Sequence, residues 1–255
     1  MRLNCALVSS FLFVSAVLAD FHSEKQLEPM FLQRAKKPIN GTPHVRAPAS
    51  YGVWAGGVVE RNNGTITLAT GTFVVPHPQG APGSGFVIGV GIDGLTCTTA
   101  ALAAGVNVMI TDHGVNVIPW GELWPRIIKW NPDPPSNDLI VSTGDQLRVT
   151  VEMTFSSIDG SFLIENLTTG KNWSDPLKNN PDSPLCQRNA FWVIAVVPDG
   201  KTPLANFGTT TFTNISMKAP GNYVFAGNPV VINSIEQNKT SVQVQPSSDI
   251  TITYG

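Results

Sequence analysis

The chain has 255 residues, and its 16 Lys and Arg against 18 Asp and Glu give a formal net charge of -2. Hydrophobic residues make up 42% of it, which excludes a disordered chain, and the weak negative charge excludes a protein that binds nucleic acid through its phosphates. The length suits one domain with leader segments and is too short for two full-size cores.

The first 19 residues have the features of a secretory signal. Met1 and Arg2 give a positive start, an apolar stretch runs from Ala6 to Leu18, and a small residue, Ala19, ends it. A helix that stays attached as an anchor is disfavoured, because the apolar stretch is short and serines interrupt it. We therefore predict that residues 1–19 are cleaved and that the protein is secreted to the extracellular space without a membrane anchor.

Residues 20–50 differ in charge from the rest of the chain. They contain five basic and three acidic side chains, whereas the residues from Tyr51 onward contain ten basic and fifteen acidic ones. A basic segment ahead of an acidic domain is typical of a removable propeptide held by opposite charge. A disordered N-terminal tail explains the same composition. Both interpretations place the domain at residues 51–255.

The cysteine count predicts one disulfide. Cys5 leaves with the signal, so the secreted form retains only Cys97 and Cys186, and an even number in an oxidising compartment is expected to pair. Export also makes the Asn-x-Ser/Thr triplets candidate glycosylation sites, several of which we expect on exposed turns. These sites are Asn40, Asn63, Asn166, Asn172, Asn214 and Asn238.

The dominant pattern after residue 50 has a period of two and predicts β-strands. Apolar residues alternate with polar ones from Leu147 to Phe155, as in a half-buried antiparallel strand. The best candidate helix, Thr98 to Ala104, is barely two turns long. About a dozen short strands without βαβ alternation predict an all-β fold, a sandwich of two antiparallel sheets. Further strand-like runs lie at 52–60, 65–75, 86–92, 105–111, 205–213, 229–235 and 248–254.

Motifs of metal and nucleophilic catalysis are missing from the sequence. The histidines at 22, 44, 77 and 113 have no metal-ligand spacing, and no Gly-x-Ser-x-Gly or phosphate-binding glycine loop occurs. We therefore predict no metal and no cofactor. Trp120, Trp124 and Trp130 flank Glu122, and such a group either packs in a core or rim or forms a platform for sugar rings.

Seven blocks of sequence, taken together, follow one collinear order. They are Trp54-Ala55-Gly56-Gly57, Gly71-Thr72-Phe73-Val74-Val75-Pro76, Gly91-Ile92-Asp93-Gly94-Leu95-Thr96-Cys97, Trp120-Gly121-Glu122-Leu123-Trp124-Pro125, Glu165-Asn166-Leu167-Thr168-Thr169-Gly170, Cys186 to Trp192, and Ala205-Asn206-Phe207-Gly208-Thr209. In this order the blocks resemble the fungal glutamic peptidases, the eqolisin family of acid endopeptidases. The resemblance implies two curved antiparallel sheets of the concanavalin A-like or jelly-roll type, whose concave face holds the substrate. It also implies a signal and a basic propeptide.

Catalysis in the family uses a glutamate as general base on water and a glutamine amide that stabilises the oxyanion. The family glutamine lies ten residues after the Asp of the Ile-Asp-Gly block, a position that Ala103 occupies here. The family glutamate precedes a Trp, and this chain has Phe191 before Trp192. Neither Ala103 nor Phe191 can transfer a proton or polarise a carbonyl.

Other positions near the family site also depart from its pattern. Gly89 replaces a family tryptophan, Arg188 replaces a glutamine, and Ala195 occupies a position that is acidic in other members. By period two, Phe191, Ala195 and Val197 share one strand face, which is therefore apolar. The residues that keep the family pattern in the expected groove are Trp54, Asp93, Trp120, Glu122 and Trp124.

These observations predict a secreted, non-catalytic glutamic peptidase homologue, or pseudoenzyme, with a groove for a peptide, a protein or another extracellular ligand, or filled by its own loops. We expect a monomer without nucleic acid as a partner. One alternative is an active acid endopeptidase with a relocated pair, Glu122 and Gln187. The other is a carbohydrate-binding, lectin-like module that uses the Trp120, Trp124 and Trp130 cluster.

Overall fold

A computed structural model gives the fold of the domain. It describes residues 54–61, 65–97, 99–125, 127–131, 139–154, 158–178, 183–219, 222–225, 229–233, 235, 239–245 and 249–255. The predicted signal and the basic segment lie outside these residues, as do Asn40, Asn63 and Asn238. Within the described ranges the chain forms fifteen strands and no helix, and no helix there is long and apolar enough to span a membrane.

Seven of these strands form one antiparallel sheet, called sheet A below. Its strand order is β13-β1-β10-β3-β4-β5-β6. Neighbouring strands of this sheet can be far apart in the sequence. For example, β10 lies between β1 and β3. The bounds are β1 (Trp54–Glu60), β3 (Gly85–Asp93), β4 (Ala101–Thr111), β5 (Gly114–Trp124), β6 (Ile127–Trp130), β10 (Asn189–Ala195) and β13 (Val230–Asn233).

The second antiparallel sheet, sheet B, packs against sheet A. Its order is β14-β15-β11-β2-β7-β8-β9, and β12 pairs with β11 beside this path. The predicted two-sheet sandwich is therefore confirmed. The bounds are β2 (Leu68–Val74), β7 (Gln146–Met153), β8 (Asp159–Asn166), β9 (Lys171–Lys178), β11 (Thr209–Ala219), β12 (Asn222–Phe225), β14 (Thr240–Val244) and β15 (Ile250–Tyr254).

The two sheets differ in how their faces are buried. Strands β7 and β8 of sheet B alternate strictly between buried and more exposed residues, so only one face of these strands is buried. Strands β3 and β10 of sheet A are buried at every residue. Sheet A therefore has a second covered face, turned away from sheet B. We call this the outer face of sheet A.

A single disulfide within the described chain joins Cys97, just after β3, to Cys186, just before β10, with the Cα atoms 5.8 Å apart. The pairing predicted from the cysteine count is confirmed. In the chain-entropy account, closing a loop between residues separated by 89 positions stabilises the fold by about 4 to 5 kcal/mol. The bridge fixes the ends of two neighbouring strands of sheet A.

The best helix candidate of the sequence, which was barely two turns long, contributes to a strand instead. Ala101 to Ala104 begin β4, which pairs along its length with β3 and β5 in the middle of sheet A. The helix propensity of alanine is overridden because small side chains fit between two covered faces, with Leu102 toward sheet B and Ala103 on the outer face. The strand predicted at 205–213 is displaced and begins only at Thr209.

Candidate functional site

One row of residues across sheet A brings the two family site positions together. The strand register pairs Phe191 with Gly91, Gly91 with Ala103, and Ala103 with Glu122. Directly paired residues on adjacent strands point to the same face. Phe191 and Ala103 therefore lie on the outer face of sheet A, separated by the single strand β3, with backbones about 10 Å apart at the usual strand spacing.

The space between these two positions is occupied by the ring of Phe191. A Cβ built on Gly91 would overlap the ring, approaching Cε1 of Phe191 to 2.6 Å. The ring therefore lies over Gly91, which has no side chain to displace it. On its other side the ring packs on Trp54, with centroids 5.0 Å apart and planes tilted by 43°.

The centre of the outer face is closed to solvent. Phe191 is 0% exposed, Ala103 1% and Glu122 2%. Phe191 and Ala103 belong to an apolar cluster with Trp54, Trp120, Val58, Val87, Leu95, Val193 and Ala195, called the outer cluster below. Partly buried side chains pack against its edge, among them Trp130, Val197 and Ile232. The expectation that Phe191 and Ala195 share one apolar face is confirmed.

Glu122 is the ionisable member of the row, directly opposite Ala103 on β5. Gln187, proposed as its partner in a relocated pair, precedes β10, and β3 and β4 lie between β10 and β5. The two backbones are therefore at least three strand spacings, about 14 Å, apart. The main-chain carbonyl of Gln187 accepts hydrogen bonds from the amides of Thr65 and Ile66. The structure does not bring Gln187 and Glu122 together.

Asp93 holds the backbone beside the row, at the end of β3 and two residues beyond Gly91. Its carboxylate accepts hydrogen bonds from the amides of Gln187 and Arg188 at 2.7 and 2.8 Å. Burial raises the pKa of the Asp93 carboxyl above its ordinary value, although the backbone hydrogen bonds from Arg188, Gln187, Asn189 and Cys186 oppose this shift. Asp93 itself has a positive φ of 65° and is fully buried. Its position supports a structural part in shaping the end of the site.

The predicted tryptophans do not form one exposed platform. Trp120 is 0% exposed and pairs across the strands with Trp130, which is half-buried. Trp124 is half-buried and ends β5. Trp54 lies within the outer cluster. A ring that stacks on a sugar must be accessible, so Trp120 does not fit this use in the described fold.

Two buried amides on or near the outer face were not anticipated. Asn107 pairs with Val87 on the neighbouring strand, is 5% exposed, and has a side-chain oxygen without a hydrogen-bond partner. Asn189 donates from Nδ2 to Thr96, while its Oδ1 also lacks a partner. The signal for Asn107 was a polar residue at an otherwise apolar position of β4, between Val106 and Val108.

The candidate glycosylation sites differ in accessibility. Asn166 is 1% exposed, and its Nδ2 donates to the carbonyl of Ile140 and the carboxylate of Asp145. Asn166 is therefore not one of the exposed sites; it serves as a turn residue, because its oxygen also accepts from the amides of the turn. Asn172 and Asn214 are exposed, and Asn214 has a φ of 50° at an irregularity in β11.

The described residues contain no group of three or more His, Cys, Asp or Glu that could hold a metal ion. The chemistry available in the row is that of the side chains of Phe191, Ala103 and Glu122. A ring and a methyl group offer apolar contact only, and no residue of this row provides a side-chain amide beside the Glu122 carboxylate to polarise a substrate carbonyl.

The fold and the disulfide define the class as a two-sheet β-sandwich of the glutamic peptidase type. The sequence pattern of the Peptidase A4 family matches residues 52–254. The chain belongs to this family, and its resemblance to the glutamic peptidases is confirmed.

Individual relatives agree with this assignment. The chain is similar to aspergillopepsin-2 from Aspergillus niger, with 30% identity over 259 residues that cover 91% of this chain and 87% of the relative. Its fold is similar to scytalido-glutamic peptidase solved with a peptide-based transition-state analogue, with a TM-score of 0.66, 25% identity, and coverage of 80% of this chain and 98% of that one. For aspergilloglutamic peptidase from Aspergillus niger the TM-score is 0.59 and the identity 33%, covering 68% and 99%.

Proposed function

We propose that this protein is a secreted, non-catalytic member of the glutamic peptidase family that binds a peptide or another extracellular ligand without hydrolysing it. The observation that carries the proposal is the Phe191 ring, which lies over Gly91 beside Ala103 on the outer face of sheet A. The sequence resemblance assigns the positions of the family glutamate and glutamine to these two residues.

The chemistry of the row supports the loss of catalysis. Removal of one oxyanion donor typically costs about 3 to 4 kcal/mol of transition-state stabilisation, and removal of a general base costs roughly 10² to 10⁴ in rate. The effects of paired groups are not additive, yet either loss alone leaves little turnover. The ring also occupies the space in which a nucleophilic water would have to stand between the two positions.

The rim of the outer cluster supports a retained binding surface. Trp124, Trp130 and Ile232 remain half-buried around a closed apolar centre. A solved relative holds a peptide-based analogue, and the rim offers apolar contacts for the side chains of such a chain.

The proposal of secretion is based on the N-terminal signal predicted from the sequence. It agrees with the disulfide, because disulfides persist in oxidising compartments. The accessible triplets at Asn172 and Asn214 are the positions in the described chain at which a glycan fits the fold. We assign the basic segment at residues 20–50 to a propeptide or a tail.

The decisive experiment is an assay for hydrolysis. The purified secreted protein is incubated with denatured casein between about pH 2 and 6, the range in which carboxylates titrate. We expect no fragments of casein. Cleavage that copurifies with the protein and disappears in the Glu122→Gln variant would overturn the proposal in favour of a relocated pair. The Ile140→Ala variant, at an exposed residue outside the outer cluster, is the matched control.

Binding is tested separately. Tryptophan fluorescence of the secreted protein is titrated with the peptide acetyl-Ala-Ile-Phe-Val-amide, and the titration is repeated with the Trp130→Ala variant. We expect a saturable change that weakens in the variant, because Trp130 lies at the edge of the outer cluster. A response that is identical in both proteins would remove the rim as the binding surface.

A further inference from the structure

Sheet B splits open between β2 and β11. The pairing of these strands runs from Lys218–Leu68 to Thr213–Thr72 and ends there. The earlier part of β11, from Thr209 to Phe212, pairs with β15 on its other side. If the register of Thr213–Thr72 continued, Thr211 would pair with Val74, but the ladder of the described strands contains no such pair.

Both strands direct backbone groups into this split. Val75 donates its amide to the carbonyl of Asp145 and accepts from the amide of Gly144, so its polar groups face β7. Backbone groups of successive strand residues face opposite edges, and those of Val74 therefore face β11. On β11, the carbonyl of Gly208 accepts from the amide of Tyr254 on β15. The same alternation turns the amide and carbonyl of Thr211 toward β2.

A cavity of about 490 Å³ lies in the split. One wall runs from Phe73 to His77, and the opposite wall consists of Thr209 to Thr211 and Thr213, with Phe207 nearby. His77 is the lining residue that can carry a charge. The site lies in sheet B and shares no residue with the outer cluster of sheet A.

Two side chains that line the cavity have a degree of burial that is unusual for their chemistry. Thr210 is 2% exposed, yet its hydroxyl has no hydrogen-bond partner, which is costly for a buried polar group. Val74, in contrast, is 49% exposed although it is apolar. A ligand with an apolar side chain and a hydrogen-bonding backbone would satisfy both residues.

We propose that the split between β2 and β11 binds an extended, uncharged peptide segment as an added strand. Its backbone bonds to Val74 on one side and to Thr211 on the other, which is the mode known as β-strand addition. Threonine or β-branched side chains suit the site, since Thr209 and Thr211 already form hydroxyl pairs with Thr253 and Thr251. A charged side chain would lose its hydration without a partner. The wall from Phe73 to His77 spans about 14 Å, which accommodates three or four extended residues.

The test is amide hydrogen exchange measured by NMR on the whole secreted protein. In the free protein, the Val74 and Thr211 amides are expected to exchange at least about tenfold faster than the Phe73 amide, which faces β7. Addition of the peptide acetyl-Thr-Val-Thr-Val-amide at about 1 mM is expected to slow exchange at Val74 and Thr211 by at least about tenfold. Unchanged exchange at both amides would overturn the proposal.

Two controls separate strand addition from other binding. The same peptide N-methylated at alternate residues carries methyl groups along one edge, which prevent that edge from pairing with a strand, so the protection of Val74 and Thr211 should disappear. Protection that survives N-methylation, or that appears only on the outer face of sheet A, would refute the added strand. In the protein, Val74→Pro removes the amide donor and is expected to weaken binding, whereas Ile140→Ala, at an exposed residue outside the lining, should bind as the parent does.

Discussion

Truncation of Phe191 tests whether its ring fills the row across sheet A. The side chain is 0% exposed, lies over Gly91 and packs on Trp54 at a centroid distance of 5.0 Å. Burial of an aromatic ring contributes about 1.5 to 3 kcal/mol, and the aromatic pair adds about 0.5 to 1.5 kcal/mol. With the cavity that remains, Phe191→Ala is expected to lower the free energy of unfolding by about 3 to 5 kcal/mol.

The measurement is urea-induced unfolding, followed by tryptophan fluorescence, of the parent and variant proteins. Phe191→Leu keeps most of the apolar volume and should cost less than about 1.5 kcal/mol. Val74→Ala, at an exposed residue, is the control and should lie within about 0.5 kcal/mol of the parent. A loss below about 1 kcal/mol for Phe191→Ala would refute the packing described for this ring.

A double-mutant cycle places the ring over Gly91 independently. The methyl group of Gly91→Ala would overlap Phe191 and come within 2.8 Å of the Leu102 carbonyl. The first clash disappears in the Phe191→Ala background, while the second remains. Gly91→Ala should therefore cost less in that background, with a coupling of about 0.5 to 3 kcal/mol. Additive costs would show that the ring does not lie on Gly91.

Three further predictions follow from other parts of the molecule. Because burial raises the pKa of Asp93, the native state keeps this proton to higher pH than the unfolded chain, so the free energy of unfolding should fall as the pH rises from about 4 through the native pKa. Urea unfolding at several pH values should show this slope and its reduction in Asp93→Asn; an unchanged slope would count against Asp93 as its source. Replacement of Cys97 and Cys186 by serine should lower stability by about 4 to 5 kcal/mol, measured by the same unfolding method, and a negligible change would contradict the constraint on the unfolded chain. Mass mapping of the secreted protein after enzymatic deglycosylation should find Asn172 or Asn214 converted and Asn166 intact, and a glycan on Asn166 would be incompatible with its buried hydrogen bonds.

The sequence allowed the fold class to be predicted because the relevant signals are local. The alternation around Leu147 to Met153 has the period of a strand with one buried face, and β7 shows that pattern of burial. The count of two cysteines after signal removal was sufficient to predict their pairing. At Ala101 to Ala104 the local composition was ambiguous, because alanine also suits a short helix, and the position between β3 and β5 selected a strand.

The candidate site was predictable in the identity of its residues but not in their arrangement. The sequence alone established that Ala103 and Phe191 lack proton-transfer and hydrogen-bonding groups. Only the register of β10, β3 and β4 placed them in one row with Gly91 between them. The ring position, the burial of Asn166 and the split beside Val74 depend likewise on strands far apart in the chain. Local sequence sets the strand period, whereas long-range pairing and packing decide which side chains meet.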